Sequence, residues 1–184
     1  MILRQIYEEG LSQMSYFLGC PSTGEALVVD PKRDVDTYLE LAESLGLRIV
    51  AVAETHIHAD YLSGARELAA QTGATLYLSD EGDENWKYKG LEGFKYVLVK
   101  DSDEFRVGNI RMKVLHTPGH TPEHITFLVS DGAVTEEPLL PLYDEELSRG
   151  RFMRGAWFYL ALFLNPKGQV LARIPKMHLT PEER

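Results

Sequence analysis

The sequence is poor in cysteine, in positive charge and in long apolar runs. A single cysteine, Cys20, among 184 residues excludes an internal disulfide and a thiolate-rich zinc ribbon. The 19 Lys and Arg residues are outnumbered by 28 Asp and Glu residues, and no basic run offsets the net charge of −9, so no nucleic-acid partner is expected. The longest apolar stretch, residues 156–164, is far shorter than the roughly 20 residues that cross a bilayer, and residues 1–10 lack the apolar core of a signal peptide. We therefore expect an acidic cytoplasmic protein with no membrane partner.

Short apolar runs and helix-spaced apolar residues alternate along the first two-thirds of the chain. The runs predict strands at residues 26–29, 49–53 and 75–78, and the helical spacing predicts helices at residues 34–45 and 61–72. Further along, short β-type segments follow one another and are separated by polar turns. This order of elements predicts an α/β fold built in layers.

The pattern changes after about residue 140. A charged connection lies between Pro141 and Gly155, and residues 157–164 and 169–174 then predict a strand, a turn and a second strand. We therefore expect a first domain at residues 1–140. A divergent C-terminal segment that forms a β-hairpin is expected at residues 141–184.

Two histidines directly follow the second predicted strand. His56 and His58 lie in the segment Thr-His-Ile-His-Ala-Asp, at the carboxyl end of a strand, where α/β folds place their ligands. Side chains two residues apart in an extended segment share a face, so both imidazoles can approach one point, and Asp60 adds a carboxylate oxygen. Imidazoles and a carboxylate without a thiolate suit Zn²⁺, Fe²⁺ or Mn²⁺. These three residues are therefore predicted metal ligands.

A second histidine cluster lies further along the chain, in the segment His-Thr-Pro-Gly-His-Thr-Pro-Glu-His at residues 116–124. The Pro-Gly pair before His120 predicts a tight turn that presents this histidine from a loop, as a metal site requires. His116 and His124 flank the turn, and a packing role is the favoured interpretation for both. His120 is therefore a further predicted metal ligand.

Together, the two clusters resemble the signature of the metallo-β-lactamase superfamily. The segments Glu-Thr-His-Ile-His-Ala-Asp-Tyr-Leu-Ser-Gly at residues 54–64 and Val-Leu-His-Thr-Pro-Gly-His-Thr-Pro-Glu-His at residues 114–124 are similar to its persulfide dioxygenase branch almost residue for residue. The resemblance covers about residues 1–138. It implies an αββα sandwich around one or two metal ions, incomplete or altered in its C-terminal part, and it makes the first domain a metal-binding one.

The resemblance implies a single Fe(II) held by His56, His120 and one carboxylate, with positions open for O₂ and substrate. His58 and Asp60 would lie beside the iron, or would bind the metal directly if it is Zn²⁺, and Asp60 is the predicted catalytic residue. In that branch glutathione persulfide is oxidised to sulfite, so a small thiol or persulfide is the expected partner. Tyr61 stands where dinuclear hydrolases such as glyoxalase II usually have a histidine that binds a second metal.

The third iron ligand is not evident from the motifs. The family's Thr-Gly-Asp after the next strand, its arginine-containing segment and its late Gly-His are all absent from this sequence. Asp144 follows an apolar run at about the family's distance from His120 and is the candidate, with Glu145 as a substitute. The same Asp-Glu-Glu sequence is equally typical of a solvated turn.

Three functions stay open: an Fe(II) persulfide dioxygenase, a thioester hydrolase like glyoxalase II, and a metal-binding but catalytically impaired relative. A homodimer is left open as well.

Residues 157–181 also resemble a strand–turn–strand of the nitrilase superfamily, with Lys176 at the position of its catalytic lysine. That chemistry needs a cysteine further along the chain, and Cys20 lies far upstream, so nitrilase activity is not expected.

Overall fold

The computed structural model describes residues 1–131, 157–164 and 170–178. The first sheet contains six strands, which are adjacent in chain order: β1 (Ile2–Glu8), β2 (Gln13–Cys20), β3 (Glu25–Val29), β4 (Arg48–Ala53), β5 (Thr75–Ser79) and β6 (Tyr96–Val99). Strands β1 to β3 pair antiparallel, and β3 to β6 pair parallel. Helix α1 (Asp36–Ser44) joins β3 to β4 and helix α2 (Ala65–Thr72) joins β4 to β5, because parallel neighbours need a crossover connection.

Among the described residues, the second sheet contains five strands, again adjacent in chain order: β7 (Glu104–Val107), β8 (Ile110–His116), β9 (Ile125–Asp131), β10 (Trp157–Leu164) and β11 (Val170–His178). Strand β10 runs parallel to β9, and every other pair is antiparallel. Strands β10 and β11 correspond to the two strands expected near the C-terminus. The boundary expected between Pro141 and Gly155 lies outside the described residues.

Alternate side chains of the first sheet face opposite ways and form two buried clusters. On one face Leu27 and Ala53 belong to a cluster that includes Val114 of the second sheet. On the other face Val28 and Val52 belong to a cluster that includes residues of α1 and α2. The predicted layered α/β fold is therefore confirmed, with both α-helices of the described residues on the outer face of the first sheet. None of these helices is long and apolar enough to cross a membrane.

The loop between β4 and α2 carries the first histidine pair and is longer than predicted, because α2 begins at Ala65 rather than at residue 61. A Cβ atom at Gly64 would lie 2.1 Å from the carbonyl oxygen of Lys32, so this close approach of two backbones requires glycine. The hydroxyl of Ser63, the residue before this glycine, accepts the N–H of Ala65 at 3.0 Å. The backbone contact of Gly64 and the hydrogen bond of Ser63 together determine where the loop ends and α2 begins.

Candidate metal centre

Two loops, one from each sheet, carry or border the five clustered histidines. The first histidine loop, residues 54–64, follows β4, and the second histidine loop, residues 117–124, joins β8 to β9. The two loops are bonded to each other through the backbone, because the N–H of Ile125 donates to the carbonyl of Thr55 at 2.8 Å. The two histidine clusters of the sequence therefore lie side by side in the fold.

The rings of two other predicted ligands lie against His56. Its ring centre is 4.2 Å from that of His58 and 4.9 Å from that of His120. With a metal–nitrogen distance of about 2.1 Å, two imidazoles on one metal have ring centres roughly 5 Å apart. His56 is buried and His120 is exposed. The spacing is compatible with a shared metal ion that is open to solvent on the His120 side.

Asp30 organises the first histidine pair, although nothing in the sequence analysis assigned it a role. Its carboxylate accepts hydrogen bonds from the N–H and the hydroxyl of Thr55, both at 2.8 Å, and from Nε2 of His58 at 3.0 Å. Burial raises the pKa of Asp30, but the positive charge that His58 and His56 carry when protonated, together with the hydrogen bonds from His58 and from the N–H of Thr55, outweighs burial and holds this pKa well below its usual range. The group is therefore an ionised carboxylate, which can only accept hydrogen bonds.

These bonds determine where the protons lie on both rings. The Thr55 hydroxyl donates its one proton to Asp30, so its 2.8 Å contact with Nδ1 of His56 requires Nδ1–H to be the donor. Neutral His56 then carries its lone pair on Nε2. His58 donates from Nε2 to Asp30, so its lone pair is on Nδ1. Each ring thus has one nitrogen held by the protein and the other prepared to bind a metal.

Tyr61 is engaged with the protein on the same loop. Its ring packs against that of His58, with ring centres 4.5 Å apart, and its hydroxyl donates to the backbone carbonyl of Asp30 at 3.3 Å. Burial, and then the charges of Asp30 and Glu54, raise the pKa of Tyr61 well above its usual value. The phenol is therefore protonated and acts as a hydrogen-bond donor.

The remaining predicted ligands are placed differently. Asp60 is exposed on the first histidine loop. Asp144, and Glu145 with it, lies outside the described residues. Within the part of the chain that the structure describes, no three His, Cys, Asp or Glu side chains are already arranged as a metal-binding group. The predicted ligands that the fold brings together are the three histidines that meet at His56.

His116 and His124 flank this cluster in different ways. Nε2 of His116 donates to the carbonyl of Pro122 at 2.8 Å. His124 is buried, with Nδ1 2.9 Å from the Thr117 hydroxyl and its ring centre 5.2 Å from that of His56. Burial lowers the pKa of His124 to about 4, so the ring is neutral at pH 7. A packing role for both histidines stays a prediction, and His124 lies closer to the cluster than its position in the sequence suggested.

Comparisons with known proteins identify the family. The family model for the metallo-beta-lactamase superfamily matches residues 9–134, which is more than half of the chain. A solved structure, the metallo-beta-lactamase from Staphylococcus aureus subsp. aureus COL, is 47% identical with a TM-score of 0.71 and covers 75% of this chain and 41% of that one. At this identity and score, the likeness extends to sequence as well as to fold.

Curated relatives with two different names also match. The hydroxyacylglutathione hydrolase of Methylococcus capsulatus is 36% identical over 64% of this chain and 43% of its own length. The mitochondrial persulfide dioxygenase ETHE1 of Homo sapiens is 29% identical over 71% of this chain and 49% of its own length. The chain thus spans less than half the length of these two relatives, and their similar identities do not resolve the branch. The predicted superfamily is confirmed: the chain belongs to the metallo-beta-lactamase superfamily.

Proposed function

We propose that this chain is the metal-binding part of an enzyme that oxidises the terminal sulfur of a small persulfide, such as glutathione persulfide, with O₂ at a single Fe(II). The observation that carries the proposal is the bonding of Tyr61. At the position where a dinuclear hydrolase is expected to have a histidine for its second metal, this tyrosine donates its hydroxyl proton to the Asp30 carbonyl. A protonated phenol that donates to a carbonyl is a poor metal ligand, so the bonding of Tyr61 favours one metal per chain.

The donor set fits a divalent first-row metal. Nε2 of His56 and Nδ1 of His58 carry lone pairs because their other nitrogens donate to protein oxygens. Neutral imidazoles with a carboxylate suit Fe(II) and Zn²⁺ alike, and Zn²⁺ is the alternative metal. Bound Fe(II) supplies open coordination positions for O₂ and for a persulfide sulfur.

The chain's own residues have separate roles around that metal. His56 and His120 are proposed to hold the metal, with Asp144 as the third ligand. Asp30, acting through the Thr55 hydroxyl, keeps the ring of His56 in one orientation and one tautomer. The burial of His56 would keep water away from a bound metal on the His56 side, and the exposure of His120 would leave the site accessible to substrate.

Two further residues complete the proposed site. His58 is held by its 3.0 Å hydrogen bond to Asp30, which would keep its ring in one orientation beside a bound metal. Asp60 is the proposed catalytic carboxylate, because it is exposed to solvent on the same loop as His56 and His58. Residues 1–140 are proposed to form the metal-binding domain and residues 141–184 the divergent segment. The cytoplasmic location and the homodimer stay predictions.

A second candidate is a zinc-dependent hydrolase of glutathione thioesters. The observation that favours it is the match to a hydroxyacylglutathione hydrolase, which is 36% identical over 64% of this chain. In such an enzyme the bound metal lowers the pKa of a nucleophilic water. Asp60 would then orient that water by accepting a hydrogen bond from it.

One experiment separates the two candidates. Protein purified without oxygen is analysed for metal, loaded with Fe(II) or with Zn²⁺, and assayed both in an oxygen electrode with glutathione persulfide and for hydrolysis of a glutathione thioester. We expect one iron per chain and O₂ uptake that depends on persulfide. Thioester hydrolysis by the zinc form without O₂ uptake by the iron form would replace the proposal with the hydrolase. Absence of both activities from metal-loaded protein would leave the catalytically impaired relative.

A further inference from the structure

Glu123 lies in the second histidine loop and is completely buried, and no role in metal binding was predicted for it. One carboxylate oxygen, Oε1, accepts the backbone N–H of Ile57 at 2.8 Å. The backbone carbonyl of Glu123 accepts the hydroxyl of Ser79 at 2.6 Å. This one residue therefore bonds to the first histidine loop through its side chain and to the end of β5 through its backbone.

The surroundings leave this side chain little freedom. A Cβ atom at Gly82 would lie 3.2 Å from Cβ of Glu123 and 3.4 Å from its backbone nitrogen, so the segment after β5 packs directly on it. Its other oxygen, Oε2, is buried and has no hydrogen-bond partner among the described residues. A buried carboxylate with one oxygen unsatisfied lowers stability, so its presence is not explained by stability alone.

The bond to Ile57 falls at a particular point of the first histidine loop. Ile57 is the residue between His56 and His58, so its N–H is part of the backbone that carries both rings. Glu123 is three residues from His120 in the second histidine loop. The carboxylate therefore spans the two loops beside the point where the ring centres of His56 and His120 are 4.9 Å apart.

We propose that Glu123 is a positioning residue that fixes the two histidine loops relative to each other and so sets the spacing of the metal-binding rings. The inference rests on the metal site of the proposed function but not on which reaction that site performs. The role depends on the reach of the side chain, that is, on its length: the acceptor oxygen of residue 123 must extend far enough from the second histidine loop to meet the N–H of Ile57. Its negative charge is not required.

Three substitutions separate reach from charge. Glu123→Gln keeps an acceptor oxygen at the same reach and removes the charge. Glu123→Asp keeps the charge and is one methylene too short. Glu123→Met keeps the length but removes the acceptor without leaving a buried charge, so it serves if the Asp variant does not fold. Ser79→Ala is the matched control, because it removes the other bond of Glu123 and leaves the Ile57 contact in place.

The probe is Co²⁺ added to metal-free protein, followed by visible absorption, which reports both affinity and the geometry of the bound ion. We expect the Gln and Ser79→Ala variants to bind Co²⁺ within about threefold of the wild type and with its spectrum. We expect the Asp and Met variants to lose affinity by at least about tenfold and to show a changed spectrum. Wild-type affinity and spectrum in Asp or Met, or a loss in Gln as large as in Asp, would overturn the proposal.

Amide exchange in metal-free protein keeps this test separate from the metal assignment. The N–H of Ile57 is expected to exchange slowly in the wild type and in Glu123→Gln, and faster in Glu123→Met. If the wild type binds no Co²⁺, the proposed metal site is wrong, whatever the exchange shows. If the wild type binds Co²⁺ but exchange at Ile57 is the same in all variants, the role of Glu123 is wrong and the metal site stands.

Discussion

Replacing Asp30 with Asn should disturb the metal site by moving a single proton, although no predicted metal ligand is substituted. In the wild type the carboxylate accepts three hydrogen bonds, two on Oδ1 and one on Oδ2. An Asn oxygen at the Oδ1 position keeps the bonds from the Thr55 N–H and from His58. The Asn NH₂ group then faces the Thr55 hydroxyl, which has to accept instead of donate. The reverse orientation would place the NH₂ group against two other donors and is excluded.

The displaced hydroxyl proton can then be donated to Nδ1 of His56, which lies 2.8 Å from the Thr55 hydroxyl. His56 would then carry its own proton on Nε2, the nitrogen that otherwise holds the lone pair for the metal. Loss of the Asp30 carboxylate, which orients the ring of His56 through the Thr55 hydroxyl, should weaken metal binding by about 10- to 100-fold, as it does for other residues that orient metal-binding histidines. Exchange of charged for neutral hydrogen bonds should lower the free energy of unfolding of the metal-free protein by about 1–3 kcal/mol.

The contribution of ionised Asp30 to the free energy of unfolding should decrease in acid. Because the pKa of Asp30 is lower in the folded chain than its ordinary value, its contribution is fully present above that ordinary value, about 4, and is lost as pH falls toward the folded one. The difference in the free energy of unfolding between wild type and Asp30→Asn should therefore shrink as pH falls below about 4.

Three measurements check the reasoning on Asp30: denaturant unfolding of metal-free protein, metal affinity, and nitrogen NMR of the His56 ring. Asp34→Asn is the control, because this exposed carboxylate should contribute less than about 0.5 kcal/mol. An unchanged His56 tautomer together with a metal affinity within about threefold of the wild type would refute the account of the hydrogen-bond network.

Three further outcomes are expected. Substituting His56 or His120 with Ala should lower bound metal at least about tenfold by elemental analysis, and near-normal metal content in both would refute their assignment. Tyr61→Phe removes the bond to the Asp30 carbonyl, so it should cost about 1 kcal/mol in denaturant unfolding while the metal content stays at one per chain; a rise to two would contradict the single-metal proposal. Deleting residues 155–184 removes the strand that pairs with β9, so light scattering should detect aggregation, and a soluble monomer that binds metal would refute a structural role for this segment.

The sequence predicts the parts of this fold that are determined locally. Apolar runs predict β3, β4 and β5 closely, because strands buried on both faces need apolar side chains throughout. The start of α2 was predicted too early because Gly64 ends the preceding loop through a contact with the backbone near Lys32. That contact joins residues far apart in sequence, so no local pattern reports it.

The same distinction holds at the candidate site. His56, His58 and His120 are evident from their spacing and from the strand and turn that precede them. Asp30 precedes a proline, which indicates only a turn, and its partners Thr55 and His58 lie at least 25 residues away. The role of such a residue is defined by its partners in the folded chain, and those partners are not visible along one sequence.

The position of the histidines on loops of two different sheets also affects how the protein unfolds. A metal held by His56 and His120 would join residues 64 positions apart, and because the unfolded chain does not hold these two rings together, the metal would bind the folded chain alone. At a free metal concentration 1,000 times the dissociation constant, binding adds about 4 kcal/mol to a domain whose total stability is typically about 5–15 kcal/mol. Metal supply would then set how long the folded chain persists in the cell as well as whether it can react.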